Sequence, residues 1–301
     1  MDQFEQLKQL LRARCPGLEL REHESMARHT TFRLGGAVRL MALPNSREQA
    51  VCAVRAAREA ELEPFFLGNG SNLLVPDQGV ERFVIKTTEG LTACRRDGNT
   101  LVAGGGLLLA RLANFALDEG LTGLEFAHGI PGSLGGAVTM NAGAYGGEMA
   151  QVVRSVTCLD REGRVEQVSD CGFGYRHSCF SDGSRLILEV ELELRPGERQ
   201  AIREIMEELM VRRKSKQPLE YPSGGSMFKR PPGHFAAALI DQCGLKGFTV
   251  GGAQVSEKHA GFVVNRGGAT CADVLELVEQ VKSRVLQQTG VELEMEVKIL
   301  R

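Results

Sequence analysis

The common nucleotide-binding fingerprints are missing from this chain. No G-x-G-x-x-G run occurs, because Gly68-Asn69-Gly70 continues to Leu73 and Gly104-Gly105-Gly106 continues to Leu109. There is no Gly-Lys dipeptide, which excludes a P-loop. Long runs of like charge are also lacking, and the net charge is only −2, which argues against a nucleic-acid or membrane-surface partner. Only Arg212-Arg213-Lys214-Ser215-Lys216 is densely basic. The eight cysteines (Cys15, Cys52, Cys94, Cys158, Cys171, Cys179, Cys243, Cys271) form no C-x-x-C pair, and no His/Cys/Asp/Glu cluster has metal-ligand spacing. Met1 to Ala13 reads as a polar amphipathic helix and not as a secretory signal. The cysteines are therefore expected to be reduced, mostly buried thiols, and the protein cytoplasmic.

Phe126–Gly147 holds no Asp, Glu, Lys or Arg over 22 residues, long enough to span a bilayer. Seven glycines, Pro131, Asn141 and His128 make it a poor membrane helix. Its glycines belong instead to one of two amide-rich loops. The first is Gly68-Asn69-Gly70-Ser71-Asn72, lying between apolar runs. The second runs Gly129-Ile130-Pro131-Gly132-Ser133-Leu134-Gly135-Gly136-Ala137 and on to Asn141 and Gly147. Glycine adopts positive φ and lets a ligand approach the peptide N–H, and successive N–H groups form anion-binding nests. Either loop alone could be a plain tight turn. Two together point to an extended, multiply phosphorylated ligand such as a dinucleotide.

At 301 residues the chain suggests two or three domains. Periodicity predicts helices at about 46–61, 107–119, 200–214, 235–243 and 271–289, with Ser46 and Gln49 matching a capping box and Gly120, Gly244 and Gly290 closing three of them. Strand patterns fall at 37–43, 65–67, 82–86, 100–103, 152–159, 164–168, 186–194, 261–265 and 292–300. Strand-rich stretches with few intervening helices indicate an α+β class. Arg195-Pro196-Gly197 marks the best boundary, giving domains 1–197 (subdomains about 1–86 and 87–197) and 198–301.

Three segments could carry chemistry, and each has a plain alternative. Tyr175-Arg176 follows Gly172 and Gly174, where the arginine could simply pair a surface carboxylate. Ser223-Gly224-Gly225-Ser226-Met227-Phe228-Lys229 could be a turn into a short strand; it is not a G-x-S-x-G elbow. Glu292, Glu294, Glu296 and Lys298 alternate with apolar residues and could form a solvated strand face. The Arg212–Lys216 run suits a helix C-terminus, where cations complement the dipole. His259-Ala260-Gly261 reads as a turn into a strand.

Taken in order, these segments resemble the UDP-N-acetylenolpyruvoylglucosamine reductase family. The resemblance rests on Thr30–Gly36, Gly68–Asn72, Gly129–Glu148, Tyr175-Arg176, Ser215–Pro218, Ser223–Pro231, Leu239–Gly247, His259–Asn265 and Glu296–Ile299. It runs from about residue 29 to 299, and the short interval between Arg176 and Ser226 resembles the class without an inserted tyrosine-bearing loop. The resemblance implies an FAD-binding fold of the vanillyl-alcohol-oxidase type, with two α+β subdomains and a C-terminal α+β substrate domain. It implies non-covalent FAD, NADPH as reductant, and conversion of the enolpyruvyl ether of UDP-N-acetylglucosamine to UDP-N-acetylmuramate in peptidoglycan-precursor synthesis. Among site residues it implies Arg176, Ser226 and Glu296 as catalytic. Gly68, Asn69, Gly70, Ser71, Asn72, Gly132, Ser133, Gly136, Ala137 and Asn141 would hold the cofactor, and Tyr175, Lys216 and Lys229 the substrate. It implies no metal and no obligatory protein partner. Two other functions compete: a flavin-dependent oxidase of the same fold, and a non-catalytic nucleotide-binding protein. No histidine or cysteine flavin-attachment motif appears in the loops, and neither alternative explains Arg176, Ser226 and Glu296 together.

Overall fold

The computed structural model describes residues 2–301. They divide into two compact units, each assembled from separated stretches of sequence. The first takes the chain through His23, Arg39–Asn69 and Arg82–Val211; the second takes Glu24–Val38, Gly70–Glu81 and Arg212–Arg301.

Two larger sheets make up most of the first unit. One has the order Glu19–Ser25, Ala37–Leu43, Val80–Lys86, Pro64–Leu67, and its last pair is parallel, with Pro64 opposite Phe83 and Leu67 opposite Lys86. Helices α1 (Gln3–Arg14) and α2 (Arg47–Glu59) cover it. Helix α2 starts where Ser46 Oγ accepts from the Gln49 amide at 3.2 Å, satisfying one of the donors that a helix start leaves orphaned. Gln49 does not complete the expected box. Its Oε1 accepts instead from the Asn45 amide, one residue before the cap, at 3.0 Å. Ala50, Ala53, Val54 and Ala57 form the buried stripe of α2, their spacing matching the helical period. Against them pack Leu40, Ala42, Phe83 and Ile85 from the sheet and Leu7 and Leu11 from α1.

One expectation fails in this layer. Cys15 and Cys52 are joined in a disulfide, so only six cysteines are free thiols. The fold brings the residue after α1 beside the first turns of α2, with Cα atoms 6.0 Å apart, within bridging distance. A sequence separation of 37 residues hid that proximity.

The second sheet is antiparallel, in the order Val165–Val168, Val153–Leu159, Leu186–Glu193, Thr100–Gly104, Cys94–Asp97. Helices α3 (Leu109–Asp118) and α4 (Leu134–Thr139) cover it through Leu109, Leu112, Ala116, Leu134 and Val138, with Leu101, Val190 and Leu192 beneath.

In the second unit, the antiparallel order is Ser223–Ser226, Phe262–Asn265, Ala253–Val255, Thr249–Val250. The division into units falls inside α5 (Arg199–Lys216), after Val211. Helices α6 (Ala236–Gln242) and α7 (Cys271–Thr289) pack on this sheet. Thr270 and Asp273 form a reciprocal capping box at the start of α7, and Gly290 closes it in the left-handed region at φ 72°. Asp77 adds a second clamp, its carboxylate accepting from the Cys271 amide at 2.7 Å and the Ala272 amide at 3.0 Å.

The segment 292–300 is not one continuous strand. Lys229 donates its amide to Glu294 O and Glu296 donates to Met227 O, with Phe228 opposite Met295. Beyond that, Lys298–Ile299 pairs in parallel with Leu73–Leu74. The segment changes partners at Val297, so no single ladder spans it.

Candidate active site

In the first unit the two amide-rich loops meet. Asn69 Nδ2 donates to Pro131 O at 2.7 Å. Gly68 lies against Ser133, and a β-carbon at Gly68 would fall 2.2 Å from Ser133 Oγ, so a larger residue would push that capping hydroxyl aside. Ser133 is buried and caps the short helix α4, accepting from the Gly136 amide at 3.4 Å. Gly132 and Ala137 are buried beside it, while Gly136 is exposed. Just before this loop His128 keeps its Nδ1 buried with no hydrogen-bond partner in the protein. Burial also holds its pKa below the usual histidine value, so the ring is neutral at neutral pH. Side-by-side small-residue backbones and an orphaned ring nitrogen are features that fit a bound dinucleotide.

The same unit carries the Tyr175-Arg176 turn. Gly174 and His177 exchange backbone hydrogen bonds at 3.0 and 3.2 Å, leaving Tyr175 and Arg176 at the tip. Arg176 occupies the left-handed region at φ 53°, at the position where a type II turn normally requires glycine. A long side chain held there costs on the order of 1–3 kcal/mol, and such strain clusters at functional sites. Tyr175 is 59% exposed, and the Arg176 guanidinium lies 5.5 Å from its ring centre. Asn141 is buried at 3% exposure, with Nδ2 donating to Gly174 O at 3.0 Å and Oδ1 accepting from the Ala150 amide at 2.9 Å.

In the second unit the segments that carry Ser226, Glu296 and Asn72 are neighbours. Ser223 faces Val264 while Ser226 faces Phe262, so the strand carries one extra residue, with Gly225 at φ 81°. A bulge of this kind re-aims the side chain next to it. Ser226 is half-buried. The neighbouring segment delivers Glu296, also half-buried, through its amide on Met227 O at 2.8 Å. Glu292 and Glu294, by contrast, are exposed. Asn72 Nδ2 donates to Glu296 O at 3.3 Å, and Asn72 O accepts from the Lys298 amide at 3.1 Å. Gly70, at φ 60°, would place a β-carbon 2.1 Å from His29 O, so the turn before Ser71 and Asn72 admits only glycine.

Lys229 forms an ion pair with Glu294. Lys216 ends α5 on the exposed surface. It sits within the field of His259, whose pKa is lowered first by burial and then by Lys246 and Lys216. His259 does more than make a turn. Its Nδ1 accepts from the Gly261 amide at 3.1 Å, and its ring stacks edge-on against Phe262, the residue opposite Ser226. The sequence signal for it was the His259–Asn265 run that carries part of the resemblance. Arg176 and the Ser226–Glu296 pair thus reside in different units.

Comparison with known proteins gives this geometry its context. An FAD-binding domain model matches residues 38–169, and a UDP-N-acetylenolpyruvoylglucosamine reductase C-terminal domain model matches residues 217–300. The UDP-N-acetylenolpyruvoylglucosamine reductase of Heliobacterium modesticaldum is 48% identical over 93% of this chain and 90% of its own length. That of Alkaliphilus oremlandii is 45% identical over 100% and 99%. The crystal structure of the corresponding reductase from Thermus caldophilus superposes with a TM-score of 0.80 at 37% identity, covering 94% of this chain and 99% of that one. The architecture is α+β with an FAD-binding domain, and the protein is an FAD-dependent oxidoreductase. The chain belongs to the UDP-N-acetylenolpyruvoylglucosamine reductase family.

Proposed function

We propose that this reductase turns over its enolpyruvyl nucleotide sugar with Arg176, Ser226 and Glu296 as its catalytic residues. The observation that carries the reading is that a half-buried Glu296 sits on the backbone segment beside Ser226, its amide donating to Met227 O, while Glu292 is exposed and Glu294 pairs with Lys229. Gly68, Asn69, Gly132, Ser133, Gly136 and Ala137, with Gly70, Ser71 and Asn72, are the residues that would hold FAD. Bound FAD supplies reducing equivalents drawn from NADPH.

Reducing the enol-ether double bond adds a hydride at one carbon and a proton at the other, with negative charge developing beside the substrate carboxylate. Arg176, at the tip of the closed Gly174–His177 turn, provides a cation for that charge. Ser226 Oγ donates the proton to the α-carbon. A serine hydroxyl is a weak acid, so it depends on neighbours that stabilise the oxyanion left behind. Glu296 orients and polarises the enolpyruvyl group from the segment beside Ser226. Lys216 meets the diphosphate as an exposed cation, and Tyr175 and Lys229 complete the substrate contacts, the charge of Lys229 being partly offset by Glu294.

The reading includes a cytoplasmic location, where the anionic nucleotide sugar and NADPH occur in solution. No helix among the described residues is long and apolar enough to cross a membrane. Disulfides are uncommon in that compartment. The Cys15–Cys52 bond lies outside all of the proposed site residues.

Ser226→Ala tests the assignment. FAD content and reduction by NADPH are expected near wild type, while reoxidation by substrate slows by about 100- to 10,000-fold, the scale for losing a general acid. Equal slowing of both half-reactions would make the Ser226 turn structural.

A further inference from the structure

Helix α4 has a different task at each end. At its start Ser133 caps the helix inside the amide-rich loop. At its end Thr139 and Asn141 grip the segment that bears Arg176. Thr139 O accepts from both Ser178 Oγ at 2.9 Å and Ser181 Oγ at 3.0 Å. Asn141 reaches the other side of the turn, donating to Gly174 O, which also accepts from the His177 amide to close the turn itself. Its own backbone is left-handed, at φ 42°, within reach of asparagine at modest cost. Both ends of its amide are committed to the protein, through Gly174 O and the Ala150 amide.

We infer that Asn141, which the family resemblance would assign to the cofactor, is instead a positioning residue for Arg176, acting through the Gly174 carbonyl, and that it contributes to substrate turnover and not to cofactor retention. The inference rests on the proposed catalytic role of Arg176. The physical argument is one of stored strain. A non-glycine residue at φ 53° relaxes toward negative φ unless its surroundings hold it. The two backbone bonds of the turn close it but do not fix its place on the protein. The Asn141 amide and the two serines on Thr139 O tie it to the end of helix α4, and of these only Asn141 bonds directly to a residue that closes the turn. Releasing it lets the tip reorient and carries the guanidinium away from the charge it must meet.

The test uses holoenzyme and two replacements that act differently. Asn141→Gly tolerates the left-handed backbone and removes both side-chain bonds. Asn141→Asp keeps an acceptor for the Ala150 amide but sets a carboxylate against Gly174 O. Each variant, Arg176→Ala, and each Asn141 change combined with Arg176→Ala is assayed for FAD content, reduction by NADPH and reoxidation by the enolpyruvyl substrate. Both Asn141 variants are expected to retain FAD and to be reduced normally. Their reoxidation should slow by about 100-fold, the cost of a misplacement of roughly 1 Å. In the Arg176→Ala background the same changes should add no further slowing, since the group being positioned is gone. Fully additive slowing, or loss of FAD from both Asn141 variants when Arg176→Ala keeps it, would overturn the proposal. Normal reoxidation by Arg176→Ala alone would instead remove the catalytic role of Arg176, a separate failure visible in the single variant.

Discussion

Asn72 and Glu296 stand 224 residues apart in sequence, yet the Asn72 side-chain amide donates to the Glu296 carbonyl at 3.3 Å. The Asn72 carbonyl in turn accepts from the Lys298 amide, so one residue holds both sides of Val297. This bracket is where the 292–300 segment leaves Met227–Lys229 for Leu73–Leu74. It fixes the direction in which Glu296 leaves the backbone, while Glu292 and Glu294 remain in solvent.

That contrast makes the three glutamates an internal control. Replacing each by Gln removes one negative charge from the same run. Glu292→Gln should stay near wild type, within about 0.5 kcal/mol of stability, and Glu294→Gln should act only through the release of Lys229 from its ion pair. Glu296→Gln should severely lower turnover of the substrate half-reaction. Stopped-flow reoxidation of the three variants decides it, and equal rates would reduce Glu296 to part of a wet surface.

Lys216 is the cleanest binding test, because it is exposed and ends a helix. Lys216→Ala should raise the apparent KM for the nucleotide sugar and leave reduction by NADPH nearly unchanged. A residue serving only the helix dipole would cost a few tenths to about 1 kcal/mol of stability and leave KM alone. Steady-state titration with substrate separates these outcomes.

His259 predicts a pH dependence of stability. Burial lowers its folded-state pKa below the ordinary 6.5, with Lys246 and Lys216 acting in the same direction. The unfolded chain therefore binds the proton more readily, and stability falls as pH drops through the ordinary histidine value toward the lowered one. His128 is shifted the same way by burial and contributes to the same loss. His259→Asn keeps an acceptor for the Gly261 amide and should flatten part of the decline between about pH 7 and 5. Urea denaturation across that range measures it; an unchanged slope would show that His259 takes no part.

Much of the fold was legible because local signals agree with it. Helix α7 begins after Thr270 and stops at Gly290 as its capping residues and periodicity require, and the core strands fall on buried apolar runs. What was hidden depends on meetings between distant segments. Nothing near Cys15 announces Cys52, and a period-two pattern over 292–300 cannot show that the backbone changes partners midway. Each compact unit is assembled from three separated stretches, an arrangement no linear pattern displays. The site divides likewise. Motifs singled out Arg176, Ser226 and Glu296 as candidates, but the bulge at Ser226, the strain at Arg176 and the carbonyl met by Asn141 exist only in three dimensions.

The central claim is that this protein passes electrons from NADPH to an enolpyruvyl nucleotide sugar by way of FAD. Anaerobic spectrophotometry of the purified holoprotein tests it most directly. Adding NADPH should bleach the oxidised-flavin absorption, and adding UDP-N-acetylglucosamine enolpyruvate without oxygen should restore it with formation of UDP-N-acetylmuramate. A flavin that bleaches but is reoxidised only by oxygen, or a protein that cannot be loaded with FAD, would contradict the account.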